Sequence, residues 1–176
     1  DVEWSTDVMD AAAENGHLAL VKWLHENRTE GCTANAMDYA ARNGHLDHLE
    51  VVKWLHQNRT EGCTESAMDV RWNGHLQVVQ WLHSNRQEGC TTRAVDDAAK
   101  NGFLDVVKWL LENRSEGYST DLVAASGRLH VVKWLHNKQK EGWTLECSTN
   151  AMDHAAQNGH LHVVKWLHDN RTEGCT

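Results

Sequence analysis

Thirteen histidines, five cysteines and nine tryptophans are the side chains of this sequence best equipped for chemistry, and most of them recur at fixed places. Cys32, Cys63, Cys90 and Cys175 share one position, and Cys147 joins them once a four-residue insertion is discounted. Such a row could carry disulfides or a metal. One histidine set, His17, His45, His75 and His160, follows a Gly; a second, His25, His56, His83, His136 and His168, follows Trp-Leu. Zinc requires several ligands within about 2.1 Å of one point. Members of one set stand a whole repeat apart, and the two sets lie roughly 12 Å apart along a helix. No HExxH and no paired Cys/His spacing appears, so neither a metal nor another cofactor is expected. No Ser/His/Asp set, phosphate loop or isolated carboxylate pair is present either. Whatever recurs six times is architecture, whereas an active site needs positions that differ. The expectation is a protein without enzymatic activity.

The elements that position these residues follow from the repeat itself. Trp23, Trp54, Trp81, Trp109, Trp134 and Trp166 are spaced by 31, 27, 28, 25 and 32 residues, and Gly31, Gly62, Gly89, Gly117, Gly142 and Gly174 keep the same spacings. The unit is therefore 28 residues, interrupted by small insertions and deletions. Six copies result, at about 1–31, 32–62, 63–89, 90–117, 118–142 and 143–176, expected to form a single domain. Each reads as two short helices. The first, AMDxAAx, follows a polar residue able to cap it (Asp7, Asn35, Ser66 or Asn150), and Asn-Gly ends it, with Gly supplying the left-handed conformation of a helix stop. The second is HLxVVKWLHxNR, whose Leu18, Val21 and Leu24 make an apolar face flanked by Trp23. Helices this short are unstable alone and must stack on neighbouring copies. The expected class is all-α, a solenoid of helix pairs.

The irregularities fall at definite places. The second copy carries three extra residues in HLDHLEVVKWL, the third lacks one in AMDVRWNGHL, the fifth lacks three before Asp121, and the sixth gains four around Trp143 to Glu146. The last suits a loop. The others lie inside expected helices, where one residue rotates the face by about 100°. Either local bulges absorb them or the sequence was inferred imperfectly there.

AMDxAAxNGHLxVVKWL resembles the TPLHxAAxxGHLxVVxLL signature of ankyrin repeats, over essentially the whole chain. The resemblance implies antiparallel helix pairs stacked into a curved array that recognises proteins. Three departures stand out: the unit is about five residues short where the β-hairpin finger would be; Ala36, Ala67, Ala94 and Ala151 replace Pro; and Asp10, Asp38, Asp69, Asp96, Asp121 and Asp153 replace His. The sequence looks like a finger-less variant, so recognition moves from fingertips to helix faces.

The chemical rows can then be placed. Stacked helices lie about 8–10 Å apart and a disulfide needs Cα atoms within about 7 Å, so the cysteines are expected as small buried thiols packing the turn. Free thiols favour a reducing, cytoplasmic compartment. The resemblance implies that the first histidine set helps to hold the turn and that the Trp row packs in the core where ankyrins place Leu. Trp4, Trp72 and Trp143 break the pattern, and Trp143, in the inserted loop, is a candidate exposed anchor. Arg28, Arg59, Arg86, Arg114, Arg171 and Lys138, each just before a Glu, are expected to make solvated ion pairs along one edge. The Asp of AMD is expected to cap helices or to bond between copies.

A binding surface belongs where copies differ. The position after AMD holds Ala11, Tyr39, Val70, Asp97 and His154, and the helix end holds Glu14, Arg42, Lys100 and Gln157. The resemblance puts the first helices on the concave face, where Tyr39, Arg42, Asp97, Lys100, His154 and Gln157 would form a strip suited to a protein or peptide. A net charge of −8 speaks against nucleic acid and anionic membranes, and no stretch approaches the roughly 20 apolar residues of a membrane span. A second expectation is structural. The chain starts with DVEWST and stops with EGCT at the same point of the repeat, and its last copy keeps the interior residues Val163, Val164, Trp166 and Leu167. Two uncapped ends in register would stack head to tail into a filament or tube; the rival account is an excerpt from a longer array.

Overall fold

A computed structural model describes residues 5–44, 46–68, 74–89, 91, 93–114, 119–141 and 150–170. The described residues form helices and no strands. The backbone divides into two compact units, Asp1–Ala94 and Val95–Thr176. In the first lie α1 (Asp7–Glu14), α2 (Leu18–Asn27), α3 (Ala34–Asn43), α4 (Leu46–Asn58), a 3₁₀ turn (Glu65–Ala67) and α5 (Leu76–Asn85), and α6 (Arg93–Asn101) begins there. The second holds α7 (Leu104–Asn113), α8 (Thr120–Ala125), α9 (Leu129–Lys140), α10 (Ala151–Gln157) and α11 (Leu161–Asn170). Within the first, α1 packs on α2 and α3, and α3 on α4; within the second, α8 packs on α9 and α10, and α10 on α11. This is the expected solenoid of helix pairs.

The core is aliphatic and small. First helices contribute Met9, Ala12, Ala13, Met37, Ala40, Ala98 and Ala99; second helices contribute a Val-Val-Leu ridge such as Val51, Val52 and Leu55, or Val106, Val107 and Leu110. The Trp row is not part of it, contrary to the sequence expectation. Trp23 is 49% exposed, and Trp54, Trp81, Trp109, Trp134 and Trp166 are half-buried. At about 100° per residue, Val21 and Leu24 stand about 60° apart, while Trp23 stands about 100° from Leu24 and about 160° from Val21. The indole therefore flanks the seam.

Helix ends also differ from expectation. Asn35 and Ser66 lie inside their helical segments. The capping oxygens belong to Thr33 and Thr64 at the end of EGCT, each accepting a backbone hydrogen bond from the residue two further on (3.1 Å). Ser119 caps α8 in the same manner at Leu122. Asp7 is the first residue of α1, and Asn150 precedes α10 without a side-chain cap. The glycine stops hold: Gly16, Gly44, Gly74, Gly102 and Gly159 all have positive φ, as does Gly127, which closes the fifth copy's first helix. At Gly16 the N–H groups of His17 and Gly16 reach back to the carbonyls of Ala12 and Ala13 (both 3.0 Å), the paired closure that the left-handed residue permits.

No bulge is needed in the second copy. Its α4 has 13 residues against 10 in α2, so the three extra residues add a turn at the N-terminus and leave the Val-Val-Lys-Trp-Leu register intact. The fifth copy's deletion shortens its first helix to six residues. In the same copy Lys138 stands where an Asn ends the other second helices. Asn27, Asn58, Asn85, Asn113 and Asn170 each donate to the backbone carbonyl of the repeated Trp (2.8 Å). Without that stop α9 continues to Lys140. The irregularities at residues 69–73 and 143–146, and with them Trp4, Trp72 and Trp143, lie outside the described residues, as do Cys90, Cys147, Cys175, His45, Asp69, Val70 and Arg171.

Candidate partner-binding surface

Three sets of repeated polar residues tie neighbouring copies together. The Asp of AMD is the first. Asp10 and Asp38 are only 5% and 3% exposed. The Thr33 N–H and hydroxyl donate to the two Asp10 oxygens (2.9 and 2.5 Å), and Thr64 repeats this on Asp38 (2.8 and 2.6 Å). Ser119 N–H does the same to Asp96 (2.6 Å). Burial raises the Asp96 carboxyl above its ordinary value, against the lowering effect of that hydrogen bond. One threonine hydroxyl thus caps its own helix and clips the previous copy.

The second set sits six residues before the repeated Trp. His48 Nε2 bonds the Glu14 carbonyl (2.9 Å) and His160 Nε2 the Ala125 carbonyl (2.9 Å), each capping the end of the preceding copy's first helix. Their rings lie over Gly16 and Gly127. In the second copy this place belongs to His48, not to His45 as the Gly-His pattern suggested, because the inserted turn moves the register. Counting back from Trp54 identifies it. Arg128 fills the same place in the fifth copy and donates through Nε to the Lys100 carbonyl (3.1 Å).

The third set forms an edge. Arg59 and Arg86 each make a two-pronged ion pair with Glu61 and Glu88, and each points Nη1 at Nδ1 of His25 or His56 in the previous copy (3.3 Å). Those imidazoles meet Trp54 and Trp81 edge-on at 5.2 Å, as His136 meets Trp166 at 5.1 Å. The pairs are less solvated than expected, with Arg59 and Arg86 side chains 22% and 21% exposed. Burial alone would raise the Glu61 and Glu88 carboxyls, but the guanidinium hydrogen bonds bring both below the usual carboxylate range.

Cys32 and Cys63 are free thiols beneath this edge. Burial pushes both up to about 11 from an ordinary 9.0, which leaves about 100-fold less thiolate near neutral pH. Iodoacetamide labelling followed by peptide mapping is expected to modify both about two orders of magnitude more slowly in the folded chain than in urea. Equal rates would remove the buried-thiol assignment.

The copy-specific residues are placed otherwise. On α3 the Arg42 guanidinium carbon lies 5.1 Å from the centre of the Tyr39 ring. On α6, Asp97 is half-buried and Lys100 exposed. On α10, His154 Nε2 stands 3.9 Å from an Asp121 oxygen of α8, and Gln157 is exposed. Tyr39 and Arg42 therefore form one pair in the first unit, while the other four belong to the second. Among the described residues no group of three His, Cys, Asp or Glu could hold a metal ion.

A family model for ankyrin repeats (many copies) matches residues 9–56, 65–111 and 121–168. The chain belongs to the ankyrin-repeat family. Members of this family generally mediate protein–protein interaction and are typically non-enzymatic scaffolds. Its fold is similar to the crystal structure of the human ASB11 ankyrin repeat domain, with a TM-score of 0.66 at 16% identity over 92% of this chain and 82% of that one. No curated protein matches it significantly.

Proposed function

We propose that this ankyrin-repeat chain is a non-enzymatic scaffold that binds a protein or peptide through the copy-specific positions of its first helices. Tyr39, Arg42, Asp97, Lys100, His154 and Gln157 are the contact residues, and Trp143 is a further anchor. The supporting observation is a division of labour. The repeated Asp, Thr, His and Arg side chains are engaged in links between copies, whereas the first-helix positions of the strip carry a different side chain in each copy. The stacked Tyr39–Arg42 pair offers the aromatic and guanidinium chemistry that dominates protein interfaces. A mixed strip on a chain of net charge −8 suits neither nucleic acid nor an anionic membrane. The six copies act together as one repeat domain in this reading.

Substituting Tyr39, Asp97 and His154 together by Ala is expected to weaken a captured partner by at least about 2 kcal/mol, or roughly 30-fold in Kd. Titration calorimetry on the purified partner measures it, and unchanged affinity rejects the strip.

A second reading is head-to-tail stacking of copies of the chain. Leu20 and Trp23 on α2 are 44% and 49% exposed and Leu161 on α11 is 62% exposed, while the equivalent Trp54 and Trp81 are covered by a histidine ring. Light scattering separates the readings. Concentration-dependent polymers support stacking, and a monodisperse species of 20.0 kDa rejects it.

A further inference from the structure

The position four residues before the repeated Trp is as copy-specific as the first-helix strip. It holds Ala19, Glu50, Gln77, Asp105, His130 and His162. Two imidazoles therefore come together only on α9 and α11. Beside them the fifth copy replaces the usual histidine with Arg128. Arg128, His130, Lys133 and His162, with Gly127 and Leu129, line an open cavity of about 420 Å³. No carboxylate lines it, although acidic residues outnumber basic ones in the chain by 25 to 17.

The backbone holds three of the four polar heads in place. His130 Nε2 lies 3.0 Å from the Gly102 carbonyl and His162 Nε2 lies 2.9 Å from the Gly127 carbonyl. A carbonyl only accepts, so each ring carries hydrogen on Nε2, and Nδ1 becomes a second donor when the ring is protonated. Arg128 spends Nε on the Lys100 carbonyl (3.1 Å), which orients a guanidinium that has four further N–H groups. Lys133 adds an exposed ammonium. A guanidinium held through Nε and an ammonium, beside two oriented imidazoles that add an Nδ1 donor in their protonated form, make a receptor for an oxyanion.

We propose that this cavity binds the oxyanion side chain, carboxylate or phosphate, of a partner peptide. The proposal rests on the scaffold reading and adds a charge preference to it, at a site on the second helices.

The test uses the full chain and three fluorescein-labelled peptides of one sequence, carrying Ser, phosphoserine or Glu at a central pair of positions. Anisotropy is expected to show binding of the phosphoserine or Glu peptide and not of the Ser peptide, weakening at least about fivefold when salt rises to about 0.3 M. A phosphoserine preference assigns phosphate, and equal binding assigns any oxyanion. Lys133→Gln alone, and His130→Gln with His162→Gln, should each reduce affinity at least about fivefold with unchanged circular dichroism. Lys22→Gln with Lys53→Gln, which removes two lysines of the first unit, should leave it unaltered. The proposal is overturned if no charged peptide binds, if the cavity variants bind as well as the parent, or if the Lys22/Lys53 variant loses as much. A partner that depends on Tyr39, Asp97 and His154 but ignores the cavity variants also overturns it, and leaves the scaffold reading standing.

Discussion

Asp38→Ala is expected to lower the unfolding free energy by about 3 kcal/mol, several times the effect of any exposed acidic substitution on the same chain. Asp38 is 3% exposed and accepts both the N–H and the hydroxyl of Thr64. Truncation removes two charge-assisted hydrogen bonds and leaves the Thr64 N–H without its acceptor. It also frees the Thr64 hydroxyl, whose oxygen caps the turn at Glu65–Ala67, so the loss extends into the next copy. Urea unfolding followed by circular dichroism gives the value. Asp7→Ala, at an exposed first-turn position, serves as the control and should cost less than about 0.5 kcal/mol. A loss at Asp38 no larger than at Asp7 would show that the Asp–Thr clip does not hold the copies together.

Gly44→Ala should be nearly as damaging, at about 3 kcal/mol, for a different reason. Gly44 closes α3 at φ +54, and an added Cβ would fall 2.0 Å from Cδ2 of His75. The left-handed conformation costs a non-glycine residue about 1 kcal/mol, and displacing a packed ring costs about 2 more. Gly159 separates the two contributions. It has φ +73, and nothing lies within 4 Å of the added Cβ, so Gly159→Ala should cost only the conformational part, about 1 kcal/mol. Thermal unfolding of the two variants side by side checks the difference. Equal losses would mean that the histidine ring yields freely and that its seat on the glycine contributes no stability.

Much of this architecture was legible in the residues. The Trp and Gly spacings gave six copies, AMDxAAx and HLxVVKWLHxNR gave two helices each, and Asn-Gly marked the stops, because each rests on local chemistry: a 3.6-residue period and glycine's tolerance of positive φ. That the Asp of AMD bonds between copies was among the expectations, but the identity of its partner was not legible. Thr33 had the sequence of a turn residue, and only the approach of α1 made it a clip on Asp10. His45 matched the Gly-His motif, yet the added turn of α4 gave its role to His48. The Trp row read as core because it stands where ankyrin repeats place a core Leu; the neighbouring α-helical seam, filled by Val-Val-Leu, left the indoles at its edge to meet histidines. Arg128, His130, Lys133 and His162 gave no signal as a group, since His162 comes from the sixth copy and only packing brings it to the other three in the fifth. The sequence by itself determined the helix pairs and their order, which depend on contacts a few residues long. The tertiary structure alone decided which polar groups meet about 30 residues apart, because register and side-chain direction across a stack are set by packing and not by chain neighbours.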